Sequence, residues 1–189
     1  MGTMCYGEST SRKTEPVRID LAENSLVTMD VAHHKVHKGL FFTANLLQKA
    51  VLNNGFVRLY LKTCEERTAH ILITLDVEGK CYFKSYSDPV VSNVGTGPDA
   101  TNLTVFNRRG VNGNTMLVYY APTFTGGTLR GNRLIPAGTG GLAIGSTLST
   151  EIETIISRGT GFIIELQNVS GQSRDLGISV NWYEEEFIT

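Results

Sequence analysis

Charge is scarce in this chain. Asp, Glu, Lys and Arg make up 19% of its 189 residues, against about 25% in soluble proteins, and the net charge is -1. Wrapping a phosphate backbone takes a basic face with many Lys and Arg contacts, so nucleic acid is not an expected partner. Long apolar runs are missing as well. Nowhere do about 18 apolar residues follow one another, as a membrane-crossing helix requires. Met1 to Pro16 is polar and holds no apolar segment of the secretory kind, so the protein is expected to be made and folded in a cytoplasm. Cysteine is limited to Cys5, Cys64 and Cys81, an odd number without C-x-x-C spacing. That pattern argues against a disulfide framework and against a thiolate zinc site. Without a secretory signal, the sequons at Asn102-Leu103-Thr104 and Asn168-Val169-Ser170 carry no weight.

What the chain does have is Gly, Thr and Asn, with 20 Gly and 41% hydrophobic residues, a balance that favours strands and turns. Residues 1 to 16 hold too little apolar surface to offset ordering entropy and read as a flexible N-terminal arm; residues 17 to 189 read as a single domain. Period-two alternation marks the strands. Val57, Leu59 and Leu61 oppose Arg58, Tyr60 and Lys62, and Ile71, Ile73, Leu75 and Val77 repeat the pattern. The short polar link Cys64 to Thr68 predicts that these two strands form a hairpin. A strand over Lys80 to Tyr86 follows, then a long loop from Ser87 to Ala100 with Pro89, Gly95, Gly97 and Pro98. Further strands are predicted at 103–107, 116–121, 151–157, 162–168 and 176–183. Short strands recurring on both sides of the long loop predict an all-β fold, a two-sheet β-sandwich with a jelly roll as the candidate topology. Only Leu46 to Asn53 allows a short helix, and strand plus turn fits it equally well.

Candidate chemistry is thin. His33-His34-Lys35-Val36-His37 and the distant His70 offer imidazoles for a metal, His34, His37 and His70 being the candidate ligands. Lys35 and Lys38 oppose a cation, however, and spacing alone does not bring the rings together, so structural histidines and no bound metal are expected. Pro136 to Gly145 is glycine-rich, but Ala143 stands where a third glycine of a dinucleotide fingerprint belongs, which leaves a surface loop. There is no G-x-S-x-G elbow. Glu151 and Glu153 would share one strand face, and the Glu184-Glu185-Glu186 run is expected to face solvent. No catalytic residue and no cofactor is predicted.

The ordered set of landmarks resembles a family of small tailed-phage structural proteins. The run His34-Lys35-Val36-His37-Lys38-Gly39-Leu40-Phe41-Phe42 is similar to the family's H-x-x-I-H-x-G-x-x-F opening. Tyr86-Ser87-Asp88-Pro89 resembles its Tyr-Glu turn, and Val105-Phe106-Asn107-Arg108-Arg109 its Tyr-Asn-x-Asn-Arg strand end. Tyr120-Ala121-Pro122, Gly127-Thr128-Leu129, Phe162 to Asn168 and Trp182-Tyr183-Glu184 follow in order. The resemblance covers residues 27 to 186. Gly159-Thr160-Gly161-Phe162 stands where the family has Asn-Thr-Lys-Tyr, so a contact through that Lys is missing here.

The resemblance implies a non-enzymatic virion protein, in the leading reading a capsid decoration or cement protein on the exterior of the head. Its partner would be the major capsid protein, and self-association as a homotrimer would match a local three-fold junction. Arg12 and Lys13 on the arm are the expected partner-binding residues. A tail, baseplate or head-fibre component is the alternative within the same class. A metal- or carbohydrate-binding module using His34, His37 and His70 is the alternative from another class.

Overall fold

The computed structural model describes residues 5–8, 14–17, 19–20, 25–26, 40–107, 116–136, 148–149 and 153–186. Strands dominate them and no helix occurs among them. In chain order the strands are β1 (Cys5–Glu8), β2 (Thr14–Val17), β3 (Ile19–Asp20), β4 (Ser25–Leu26), β5 (Phe41–Val51), β6 (Phe56–Lys62), β7 (Arg67–Val77), β8 (Cys81–Ser87) and β9 (Val90–Asn93). There follow β10 (Leu103–Asn107), β11 (Leu117–Tyr120), β12 (Thr123–Thr125), β13 (Thr128–Ile135), β14 (Leu148–Ser149), β15 (Thr154–Ile156), β16 (Gly161–Asn168) and β17 (Arg174–Glu186). Two antiparallel sheets pack face to face. One has the order β10-β5-β17-β7, with β14 and β15 both pairing β7; the other has the order β11-β6-β16-β8-β13. Small ribbons join β1 to β2, β3 to β4, and β9 to β12.

The connectivity is that of a jelly roll. The eight strands β5, β6, β7, β8, β13, β15, β16 and β17, taken in turn, give sheet orders 1-8-3-6 and 2-7-4-5, so that successive strands alternate between the sheets through most of the chain. This corrects the hairpin expected of the 57–62 and 71–77 runs. β6 pairs with β11 and β16 in one sheet, β7 with β17 in the other, and Cys64 to Thr68 crosses between them. The two halves of the chain therefore do not correspond to the two sheets. The segment 88–127 is an excursion from this plan, leaving β10 beside β5 and β11 beside β6 before returning through β12. The long loop expected from Ser87 to Ala100 thus contains a strand, β9. The helical option at Leu46 to Asn53 also falls: Leu46–Val51 continues β5, whose inward Phe42, Ala44 and Leu46 keep strict period two.

Alternation decides what is buried. Phe42, Leu46, Ile71, Leu75, Ile178 and Trp182 face inward from the first sheet, and Leu59, Leu61, Phe83, Phe162, Ile164 and Leu166 meet them from the second. Trp182 is fully buried and stacks on Phe42, with centroids 5.5 Å apart and rings 25° from parallel. Burial of this kind stabilises by about 1.5–3 kcal/mol per large apolar side chain. Cys81 lies in the same core, and burial pushes its thiol up to about 11.

The same alternation corrects the reading of the acidic run. Glu184 follows Trp182 by two residues on β17 and so points inward, where it is 5% exposed. One of its oxygens accepts the Met116 amide N–H at 2.9 Å and the Trp182 indole N–H at 3.3 Å, and the other lies 3.7 Å from Arg67. Glu185 takes the outward position. A charge run read as one solvated patch is divided between two environments, because neighbouring strand residues face opposite ways.

Candidate functional site

Of the histidines singled out above, His70 lies among the described residues, and His33, His34 and His37 lie outside them, as do Arg12 and Lys13. His70 sits on the outer face of β7, where the register sets it beside Tyr183 of β17 and Ile155 of β15. Its ring stacks on Tyr183, 4.7 Å between centroids and 11° from parallel. Nδ1 lies 3.4 Å from Glu153 and Nε2 3.7 Å from Glu185. The two ring nitrogens point in opposite directions, so the carboxylates flank the imidazole instead of converging on a common point. No group of three or more His, Cys, Asp or Glu able to hold a metal ion occurs among the described residues. His70 Nδ1 is buried and makes no hydrogen bond among the described residues, so the contact that the arrangement does supply is the stacking of the ring on Tyr183.

The second sheet presents a more distinctive outer face. The registers align Tyr119, Tyr60, Ile163, Tyr86 and Leu129 in one row across all five strands. The next row holds Arg58, Glu165, Lys84 and Asn132, and the one beyond it Phe56, Gln167, Tyr82 and Leu134. The β9–β12 ribbon folds over part of this face. Phe124 of β12 packs on Tyr86 at 5.2 Å, and Thr96 bridges to Tyr120, so that Ile163 is fully buried although it points away from the main core. Tyr60 and Tyr119 stack at 6.3 Å, and burial, with Tyr119 adding to it, raises the Tyr60 phenol above its ordinary value.

Arg58 binds this layer together. Its Nε donates to Glu165 at 2.7 Å, and its guanidinium lies 4.5 Å from the Phe56 ring centre and 5.4 Å from that of Phe124. Glu165 is 5% exposed. A buried carboxylate must be paired and hydrogen-bonded, and a planar guanidinium between two aromatic faces meets that need while staying partly solvated. The sequence carried one signal of this pair: Glu165 interrupts the apolar run Phe162 to Leu166, which marks a strand covered on both faces.

Beyond the ribbon the face is open. Phe56, Tyr82 and Leu134, in one row, are 42%, 40% and 46% exposed. β13, which carries Leu134, forms the edge of the sheet among the described residues, and it lacks the alternation that would have announced it in the sequence. No protein-family model, curated protein or solved structure matches the chain.

Proposed function

We propose that the protein is a non-enzymatic structural component of a tailed-phage particle, a decoration or cement protein that docks on the major capsid protein at the exterior of the head. The observation that carries the reading is the open part of the second sheet's outer face. There Phe56, Tyr82 and Leu134 stand exposed in one row, interrupted by Gln167 between Phe56 and Tyr82 and flanked by Arg58 and Lys84. Large apolar side chains gathered on a flat, rigid surface, with aromatic residues and arginine prominent, have the composition of protein interfaces. The jelly roll is an architecture found in viral capsid and lectin domains, which agrees with the reading without carrying it. The mechanism is binding energy alone: a protein that binds the assembled shell and not its separated subunits stabilises the shell by mass action, and three linked copies multiply the effect.

Cryo-electron microscopy of the parent particle tests the proposal. Density for this fold at junctions between capsid subunits, with the Phe56–Tyr82–Leu134 row turned toward the shell, is the expected result. Density on the tail or baseplate alone would overturn the head assignment, and absence from the particle would overturn the whole reading.

A further inference from the structure

We propose that the cleft at one open end of the sandwich is a binding site for a neutral saccharide, of a size to take one or two sugar rings. This inference stands independently of the phage reading, and the site is not the one expected from the histidines. The cleft has a volume of about 340 Å³, at the lower end of the range of about 300–1,000 Å³ seen for small-molecule sites. It opens between β8, β13 and β16 of one sheet and β15 of the other, with the exposed Ile155 and the buried Ile156 and Phe162 as its apolar floor.

Two irregularities of the backbone aim polar groups into it. In β13 the register shifts between Leu129 and Gly131, so Arg130 is the extra residue of a bulge, a feature that redirects a side chain out of the alternation. Its Nε donates to the Ser87 hydroxyl at 2.8 Å, leaving its remaining N–H donors for a ligand. Asp88, directly after β8, holds a left-handed backbone conformation with φ of 53° and lines the same cleft. Gly127, with φ of 91°, permits the close approach of the β12–β13 turn, since a Cβ there would lie 3.2 Å from both the Ser87 carbonyl oxygen and the Pro89 Cα.

The charges narrow the ligand to one without net charge, and the hydroxyls around them favour a polyol. Arg130 and Asp88 both line the cleft, and neither makes an ion pair among the described residues. An anion would gain from Arg130 and be opposed by Asp88, and a cation would meet the reverse. A neutral ligand rich in hydroxyl groups satisfies both, since each hydroxyl donates to the carboxylate or accepts from the guanidinium. Thr154 and Ser157 add hydroxyls that make no side-chain hydrogen bond among the described residues, and Thr160 adds one that donates to the Ser157 carbonyl at 2.7 Å. The apolar floor suits the C–H face of a sugar ring. Alternating polar walls and an apolar base match a pyranose better than a wholly apolar or a singly charged molecule.

Titrating the full-length protein with the methyl glycosides of glucose, galactose, mannose and N-acetylglucosamine, followed by amide-resolved NMR, tests this. At least one glycoside is expected to give saturable shifts centred on Ser87, Asp88, Arg130, Thr154, Ser157 and Thr160. Asp88→Asn keeps a residue that tolerates positive φ, and Arg130→Met keeps the side-chain stem. Each is expected to weaken binding about tenfold or more, the scale of one lost charge-assisted hydrogen bond, with amide dispersion unchanged. Thr154→Val serves as a second variant on the opposite sheet. No saturation with any glycoside, shifts centred elsewhere, or binding unaffected by all three variants would overturn the proposal. Inorganic phosphate saturating the same residues more tightly than every glycoside, and more tightly still in Asp88→Asn, would overturn the neutral ligand class in favour of an anion.

Discussion

Glu184→Ala removes a carboxylate oxygen that accepts from both the Met116 amide and the Trp182 indole at the end of the core. Met116 is 1% exposed and Trp182 fully buried, so water cannot replace the lost oxygen without entering the sandwich. An orphaned buried donor costs about 1–3 kcal/mol, and two of them give about 2–6 kcal/mol before any loss of the Arg67 contact. Against a total stability of about 5–15 kcal/mol, that is a large fraction from one surface-looking position in an acidic run. Glu184→Gln keeps an oxygen in the same place and is expected to cost about 1 kcal/mol. Urea unfolding followed through the fluorescence of Trp182, the single Trp of the chain, measures both variants. With a slope of about 2 kcal/mol per molar urea, a loss of 3 kcal/mol lowers the midpoint by about 1.5 M. An Ala variant within about 0.5 kcal/mol of the parent, the range of ordinary surface substitutions, would refute the inward placement of Glu184.

Arg58→Ala strands the buried Glu165 carboxylate and is expected to destabilise by about 3 kcal/mol, at the low end for a broken buried pair because Arg58 is partly solvated; the same denaturation assay reads it. Asp99 accepts the backbone N–H groups of Asn102, Leu103 and Thr101 and the Tyr120 hydroxyl, which hold its carboxyl far below the usual range. Its folded value is depressed, so the stability it contributes is present above the unfolded value of about 3.9 and is lost as pH falls toward the folded one. A carboxyl titration by NMR with a midpoint at or above 3.9 would contradict this. Cys81, with its thiol pushed up to about 11 by burial, is expected to resist thiol reagents at pH 8 until the protein unfolds, and rapid labelling of the native protein would show that the core is open there. At Gly95, φ is 89° and a Cβ would stand 2.0 Å from the Tyr120 carbonyl oxygen, so Gly95→Ala is expected to cost at least 1–3 kcal/mol, roughly the cost of one strained position, and to disturb the Thr96–Tyr120 bridge, visible as lost amide protection at both residues.

The sequence by itself determined that the chain is a β-sandwich and, where alternation is strict, which side chains of a strand enter its core. Val57, Leu59 and Leu61, or Ile71, Ile73 and Leu75, state by strict alternation which face of a strand is buried, and that is a local property of pleated backbone. Alternation is silent about which strand supplies the hydrogen bonds. The pairing of β7 with β17, the crossing of Cys64–Thr68 between sheets and the coverage of Ile163 by the β9–β12 ribbon join residues far apart in the chain, so only the tertiary structure decided them. The row of Phe56, Gln167, Tyr82 and Leu134 needs four strands in register, and the cleft needs a bulge at Arg130 facing a strand from the opposite sheet. Glu184 shows both halves of the lesson. Its inward phase could be counted from Trp182 two residues before it, whereas the amide of Met116 that makes its burial tolerable is brought to it by the fold alone.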